Sequence, residues 1–115
     1  MNIEQLLNLV KNTLVDIKAQ DVRVIDVREK TSITDYMVIA TGTSSRHLRA
    51  IGQSVAYEAK KQMHKTFRME GEESGEWILV DLEDIVVHIM VAEARTLYSL
   101  EKLWETTDNH RQQQA

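Results

Sequence analysis

The hydrophobic pattern of this chain alternates between helical spacing and short apolar runs. Near the start, apolar residues recur every three or four positions: Ile3, Leu6, Leu7, Val10, Leu14 and Ile17. This spacing predicts an amphipathic helix over residues 2–19, with Asn2 as its N-cap. The spacing returns in residues 45–63, where the apolar positions are Leu48, Ile51, Val55 and Ala59. Gly52 lies inside this second predicted helix at a cost of roughly 1 kcal/mol relative to alanine, which close packing against a sheet would explain.

Short runs rich in valine and isoleucine predict five strands. We place them at residues 22–27, 36–40, 67–70, 76–82 and 85–91. The last two runs are almost continuously apolar, as expected for strands that are covered on both faces. Only Glu83 and Asp84 separate them, so they should form an antiparallel hairpin. The order of helices and strands predicts an α/β fold with a mixed five-stranded sheet packed with helices.

The stretch from Asp35 to Arg49 connects the second strand to the second helix. The strand ends in a predicted polar turn, residues 41–44, and Ser44 or Ser45 can cap the helix that follows. A glycine-containing turn before a helix N-terminus is also a geometry that holds phosphate. Gly42 in this turn therefore raises the question of a nucleotide site.

A last amphipathic helix is predicted over residues 92–104. On a helical wheel, its core-facing side is formed by Leu97, Leu100, Leu103 and Trp104. The opposite side carries Arg95, Tyr98 and Lys102, and a tyrosine flanked by cations on an outward face is typical of an interface. Residues 105–115 have no apolar periodicity and are expected to form a disordered tail. Residues 1–104 are then a single domain.

Composition limits the function classes further. A chain of 115 residues without cysteine has no disulfide, thiolate metal site or thiol nucleophile. A reducing compartment such as the cytoplasm fits this composition. No apolar run approaches the ~20 residues that a membrane-spanning helix needs, so no membrane partner is expected.

Charge is separated along the sequence. Residues 46–68 carry six Lys/Arg and one acid, whereas residues 70–84 carry seven acids and neither Lys nor Arg. This separation favours oriented docking to a charged partner, and the simpler interpretation is two solvated faces that differ in charge. The overall charge of −4 argues against a protein that wraps nucleic acid.

Candidate catalytic chemistry is poorly supported by the residues. Nucleotidyl transfer needs two carboxylates about a dozen residues after the glycine turn to hold magnesium, and only Glu58 precedes Glu70 there. A phosphate-binding loop would need a Lys-Ser or Lys-Thr pair, which is missing. His47 and His64 have no acid at metal-ligand spacing. We assign no catalytic residue, cofactor or metal, and a nucleotide-binding enzyme that uses the Gly42 turn stays the alternative.

Trp77 follows the acidic loop, residues 71–75, at the start of a strand. Its indole either covers the core or lies exposed. If exposed, it could join Tyr98 in one patch, because its strand and the last helix follow each other closely in the chain. His88 lies in the middle of the next strand, where a histidine is usually a partly buried structural residue.

Three segments together are similar to the ribosomal silencing factor family, also called RsfS or Iojap. They are SITDYMVIATGTSSRH (32–47), GEWILVDLEDIVVHIM (75–90) and EARTLYSLEKLW (93–104). The resemblance runs from about Ile3 to Trp104. It implies a nucleotidyltransferase-like fold without catalytic carboxylates, which agrees with the missing acid pair.

The resemblance also implies a partner and a role. Members of this family bind the large ribosomal subunit through its fourteenth protein, block joining with the small subunit, and repress translation when nutrients fall. Sequence-specific nucleic-acid binding is not implied, and a homodimer could hide the same face. The contact residues that the resemblance implies are Trp77, His88, Arg95, Tyr98, Glu101 and Lys102.

Two positions depart from the family pattern. Glu83 stands where glycine is common, which we interpret as a hairpin turn that does not need a positive φ. Ala92 stands where proline is common, and alanine is harmless in the first turn of a helix.

Overall fold

The computed structural model describes residues 1–100, which form three helices and five strands. The helices are α1 (Ile3–Asp16), α2 (Ser45–Met63) and α3 (Ala92–Tyr98). The strands are β1 (Gln20–Asp26), β2 (Tyr36–Gly42), β3 (Arg68–Glu70), β4 (Trp77–Asp81) and β5 (Ile85–Val91). The order of elements is the predicted one.

The five strands form a single mixed sheet in the order β1-β2-β5-β4-β3. β2 and β5 are parallel, and the other three pairings are antiparallel. The predicted β4–β5 hairpin is confirmed, with Ile78 opposite Ile89. The central β2 and β5 are largely buried, which explains why their sequences are almost continuously apolar.

Helices α1 and α2 cover one face of the sheet and enclose the main core. Their buried residues include Leu6, Val10, Leu14, Leu48, Ile51, Val55 and Ala59. These residues pack on Val38, Ala40, Ile78, Val80, Val87 and Ile89 of the sheet. A smaller apolar cluster lies on the opposite face, where Ala94 of α3 meets Ile39 and Met90. The two faces of the sheet are therefore covered by different helices.

Local capping explains where α1 and α2 begin. Asn2 and Gln5 form a reciprocal capping box at the start of α1. Ser44 caps α2 by accepting a hydrogen bond of 3.1 Å from the backbone N–H of His47. α1 ends at Asp16, three residues before the predicted end, because the chain turns through Lys18 at a φ of 62°.

Two glycines lie where neighbouring side chains leave little room for a Cβ atom. Gly42 closes strand β2 instead of lying in a turn, so the predicted end of this strand at residue 40 was too early. A Cβ atom on Gly42 would lie 2.6 Å from Leu48 Cδ2. Gly52 faces the sheet as predicted, and a Cβ atom there would lie 2.8 Å from Met69 Sδ. Gly42 therefore accommodates core side chains, which is different from the phosphate-binding turn that the sequence suggested.

The hairpin turn corrects one expectation. Glu83 has a φ of 72°, in the left-handed region, so this turn does need a positive φ. Asp81 accepts a hydrogen bond of 2.8 Å from the backbone N–H of Glu83, and Lys65 pairs with the Glu83 carboxylate. These contacts hold a residue type that is disfavoured there by about 1–2 kcal/mol.

Replacing Glu83 with glycine is expected to raise the free energy of unfolding by roughly 0.5–1 kcal/mol. Glycine removes the left-handed strain, and the exposed ion pair that it also removes contributes little. Urea denaturation of the wild type and of Glu83→Gly measures the difference. Glu83→Ala is the matched control because it removes the ion pair and keeps the strain, so it should not stabilise. Equal effects of both substitutions would contradict this account.

Helix α3 is interrupted at Ser99, which the helix predicted over residues 92–104 did not include, and residues 101–104 lie outside the described part of the chain. Leu100 packs against the smaller apolar cluster as predicted. The helix ends at Tyr98 because Ser99 adopts a φ of 50° and its N–H closes onto Arg95 O. Ala94 is its buried residue, whereas Leu97 is 77% exposed. The prediction that Leu97 faces the core was wrong. α3 follows β5 without a loop, so the direction of the strand sets which side of the helix meets the sheet.

Candidate partner-binding site

Trp77 begins β4 on the sheet face that α1 and α2 leave uncovered. It pairs with Met90 of β5, and its side chain is half-buried against the smaller apolar cluster. The next residue, Ile78, points to the opposite face and packs in the main core. The sequence left open whether the indole covers the core or lies exposed. In the structure it is partly buried and partly accessible to solvent.

His88 holds the indole in place. Its side chain is 6% exposed, and its Nδ1 accepts a hydrogen bond of 3.0 Å from Nε1–H of Trp77. A neutral imidazole that accepts at Nδ1 carries its proton on Nε2. Burial lowers the pKa of His88 to about 4, because the charged form would lose its hydration. His88 is therefore neutral near pH 7, as this hydrogen bond requires.

Tyr98 completes an aromatic group with these two residues. Its ring lies 4.8 Å from the Trp77 ring, between centroids, at an angle of 47°. The side chain is 47% exposed, so one part packs on the indole and the rest faces solvent. We name Trp77, His88 and Tyr98 the aromatic cluster. The sequence indicated that an exposed Trp77 could join Tyr98 in one patch, and the two rings do pack together, with the buried His88 bonded to the indole.

Lowering the pH from 6.5 to 5 is expected to reduce the free energy of unfolding by about 1.5 kcal/mol through His88. The folded-state pKa lies below the ordinary value, so the unfolded chain binds a proton that the folded chain excludes. Stability therefore falls as the pH drops through this range. The uncharged cross-strand neighbours Ile39 and Leu79 offer nothing to offset the charge.

Urea denaturation at both pH values measures this effect, and His88→Gln is the matched variant. Glutamine can still accept a hydrogen bond from the indole but does not titrate. The pH effect should shrink in this variant by about the amount assigned to His88. An unchanged pH dependence would show that His88 is already charged or solvated in the folded protein.

The acidic loop folds back onto the start of β4. Ser74 Oγ donates a hydrogen bond of 3.0 Å to Gly71 O and accepts hydrogen bonds of 3.2 Å from the backbone N–H groups of Glu76 and Trp77. Gly71 has a φ of 88°, and a Cβ atom there would clash with the carbonyl oxygen of Trp77. Both residues position Trp77, and sequence reasoning missed them. The glycine-serine-glycine punctuation of this loop was the available signal.

An acid-rimmed groove lies beside the aromatic cluster. It has a volume of about 300 Å³ and is lined by Glu70, Gly71, Ser74, Glu76, Trp77, Leu79 and Tyr98. Glu70 and Glu76 make this lining acidic, although the Glu70 carboxylate is already paired with Arg68 at 3.1 Å, and Trp77, Leu79 and Tyr98 supply its aromatic and apolar part. Such a surface favours a partner segment that is cationic and contains apolar groups.

Arg95 bonds to the sheet, at strands β1 and β2. Its Nη1 donates hydrogen bonds of 2.6 Å to Asp21 O and 2.8 Å to Thr41 Oγ1, so the guanidinium ties α3 to β1 and β2. The sequence grouped Arg95 with Tyr98 and Lys102 on one side of the helix. Lys102 and Glu101, together with the predicted tail at 105–115, lie outside the described residues.

The connection around Gly42 is used for internal contacts. His47 Nδ1 accepts a hydrogen bond of 2.9 Å from the backbone N–H of Thr43, and its Nε2 lies 2.8 Å from Ile17 O. Ser44 is the N-cap. This arrangement ties the start of α2 to the end of α1.

Within residues 1–100, no group of three or more His, Asp and Glu side chains is placed to hold a metal ion. None of the helices in this part of the chain is both long and apolar enough to span a membrane.

The family model described as "Ribosomal silencing factor during starvation" matches residues 1–115. A Haemophilus influenzae protein named ribosomal silencing factor RsfS is 46% identical over 99 residues, which are 86% of this chain and 97% of that protein. A mouse protein named mitochondrial assembly of ribosomal large subunit protein 1 is 38% identical over 109 residues, covering 90% of this chain and 45% of the mouse protein.

A solved structure has the same architecture. The crystal structure of a Chromobacterium violaceum protein superposes with a TM-score of 0.85 at 39% identity, covering 91% of this chain and 88% of that one. This likeness confirms the α/β fold with a mixed five-stranded sheet.

Proposed function

Because this chain belongs to the ribosomal silencing factor family, we propose that it is a translation repressor that binds the large ribosomal subunit. The proposed contact is the fourteenth protein of that subunit, and the proposed effect is a steric block to joining with the small subunit. The protein would act in the cytoplasm, chiefly under nutrient limitation. The family is named for a regulatory role, and the proposal includes no catalytic step.

The aromatic cluster is the observation that carries this proposal. Trp77 and Tyr98 present a half-exposed aromatic surface, and buried aromatic side chains supply most of the affinity at many protein interfaces. The carboxylate of Glu76 beside it complements a cationic partner, whereas that of Glu70 is already paired with Arg68. The mouse relative's name refers to assembly of the large ribosomal subunit, which supports the same subunit as partner and a further role in ribosome biogenesis.

The six proposed contact residues divide by position. Trp77 and Tyr98 would touch the partner directly, whereas His88 would act by holding the indole. Arg95 would act by orienting α3, because its guanidinium is bonded to β1 and β2. Glu101 and Lys102 remain proposed contacts from the resemblance.

Sedimentation with separated ribosomal subunits tests the partner. The protein is expected to travel with the large subunit and not with the small one. Excess protein should also reduce the amount of joined ribosome formed when the two subunits are mixed at high magnesium. Sedimentation with the small subunit alone, or with neither subunit, would overturn the proposal.

Self-association through the same face would compete with this binding. Light scattering across a concentration series measures the oligomeric state. A dimer that Tyr98→Ala dissociates would place the aromatic cluster at the contact between copies, and binding to the subunit would then require the dimer to open.

A further inference from the structure

Helix α2 carries a line of basic residues on the side that faces away from the sheet. At about 100° per residue, Arg46, Arg49 and Lys60 fall within one narrow sector of the helix, with Tyr57 among them. His64 follows the helix as its C-cap residue, with a φ of 55°, and is exposed. The side chains of this sector lie on the outer surface of α2, away from its buried residues. The line runs roughly 27 Å from Arg46 to His64 at the usual rise of 1.5 Å per residue. We name these five residues the basic stripe.

The cations near the basic stripe form ion pairs with acidic residues. Lys61 pairs with Glu58 at 3.2 Å, Arg68 pairs with Glu70 at 3.1 Å, and Lys65 pairs with a carboxylate of the hairpin turn. Within the part of the chain that the structure describes, Arg46, Arg49 and Lys60 form no ion pair. Their charges are therefore available to an external anion.

Helix stability accounts for Lys60 but not for Arg46 and Arg49. Lys60 and Lys61 lie in the last turn, where cations interact favourably with the helix dipole. Arg46 and Arg49 lie at the opposite end, where the dipole is positive and cations are unfavourable. No acidic residue in the first turn offsets them. A charge arrangement that opposes the local preference of the helix indicates a role outside the helix.

Tyr57 adds a second observation that indicates a ligand. Its side chain is 62% exposed and stands between two surface concavities of about 350 and 340 Å³. Lys60, Lys61, His64 and Lys65 line the second concavity together with Tyr57. Lys61 Nζ lies over this ring, 5.3 Å from its centroid. A planar group would therefore stack on the other face of the ring or displace Lys61, while the cations of the pocket hold an adjacent anion.

We propose that the basic stripe binds single-stranded RNA, with Arg46, Arg49 and Lys60 on backbone phosphates and Tyr57 stacked on a base. Arginine matches phosphate oxygens with two parallel hydrogen bonds, and every base has a face that an aromatic ring can stack on. An acidic peptide would satisfy the charges but would not use the tyrosine ring. A membrane surface is disfavoured because the stripe has no apolar face to insert.

The basic stripe and the aromatic cluster lie on opposite faces of the sheet. α2 packs on the face formed by Ile78 and Val80, whereas Trp77 belongs to the other face. One partner can therefore occupy the aromatic cluster while RNA occupies α2. The inference does not rest on the proposed function, because it concerns a different surface and can be tested with RNA alone.

The test measures fluorescence anisotropy of a labelled oligouridylate of about 20 nucleotides, titrated with the full chain at several salt concentrations. The variant Arg46→Gln/Arg49→Gln/Lys60→Gln is expected to bind at least on the order of tenfold more weakly. Its slope of log affinity against log salt should be smaller by about two, because each phosphate that a cation neutralises adds roughly 0.7 to that slope. Lys11→Gln/Arg28→Gln/Arg68→Gln removes the same charge elsewhere and should bind like the wild type.

Additional measurements test whether Tyr57 stacks on a base and whether the partner is RNA and not merely a polyanion. Tyr57→Leu should weaken binding to the oligouridylate and leave binding to an RNA duplex of equal length little changed, since paired bases are not available to stack. Equal losses in both charge variants would overturn the proposal, as would tighter binding to poly-glutamate than to RNA. Trp77→Ala should bind RNA like the wild type. Loss of RNA binding at the basic stripe can therefore be told apart from loss of subunit binding at the aromatic cluster.

Discussion

Replacing Trp77 with alanine is expected to weaken binding to the large ribosomal subunit on the order of a hundredfold, which corresponds to about 3 kcal/mol. The indole packs on Tyr98 and is bonded to His88. Its loss removes the Trp77 contact with the partner and also the ring that supports Tyr98. Co-sedimentation across a concentration series of subunits measures the change in affinity.

Two controls make this experiment specific. Ile33→Ala removes an apolar side chain that is 85% exposed and precedes β2, whose start pairs with the start of β5, whereas Trp77 pairs with Met90 near the end of β5. This variant should therefore bind like the wild type. Tyr98→Phe keeps the ring contact with Trp77 and should retain most of the affinity, whereas Tyr98→Ala should not. Full binding by folded Trp77→Ala and Tyr98→Ala variants would remove the aromatic cluster from the interface.

Replacing Gly71 with alanine is expected to lower the free energy of unfolding by at least about 3 kcal/mol. Two costs add: a left-handed φ of 88°, and a Cβ atom that would clash with the backbone oxygen of Trp77. Because backbone atoms cannot move aside as a flexible side chain can, the loop must shift and carry the start of β4 with it. Thermal or urea denaturation measures the loss.

Gly75→Ala is the matched control for this substitution. Gly75 also has a positive φ, 73°, but a Cβ atom there would lie 3.2 Å from Ser45 Cβ, a tight contact that small shifts relieve. We expect only the backbone strain, about 1–2 kcal/mol. Equal losses for the two glycines would mean that the clash at Gly71 is relieved elsewhere. Where Gly71→Ala still folds, its tryptophan fluorescence should report a displaced Trp77.

Much of the fold could be predicted because its signals are local. α2 begins and ends where the sequence placed it, since Ser44 caps it and the apolar spacing stops at Met63. The β4–β5 hairpin was equally clear from two apolar runs separated by a short acidic link. Ends without a local signal were missed: β2 continues to Gly42 and α3 stops at Tyr98.

The errors have a common physical origin. The backbone of Glu83 takes a positive φ because Asp81 and the register of the hairpin hold it there, and a glutamate gives no sign of this. Leu97 is exposed because α3 leaves β5 directly, and this junction sets the rotation of the helix. A helical wheel describes which residues share a side, but it does not contain the direction of the neighbouring strand.

The sequence by itself determined the order of the elements, the family, and which aromatic residues to examine, because spacing and motifs are properties of neighbouring residues. The tertiary structure decided that Trp77, His88 and Tyr98 meet, and that Arg95 reaches β1 and β2 instead. These contacts join side chains to partners that lie 11 positions away, for Trp77 and His88, and 74 positions away, for Arg95 and Asp21. They depend on strand register and on how α3 docks, which are set by burial of the whole apolar surface and not by any local pattern.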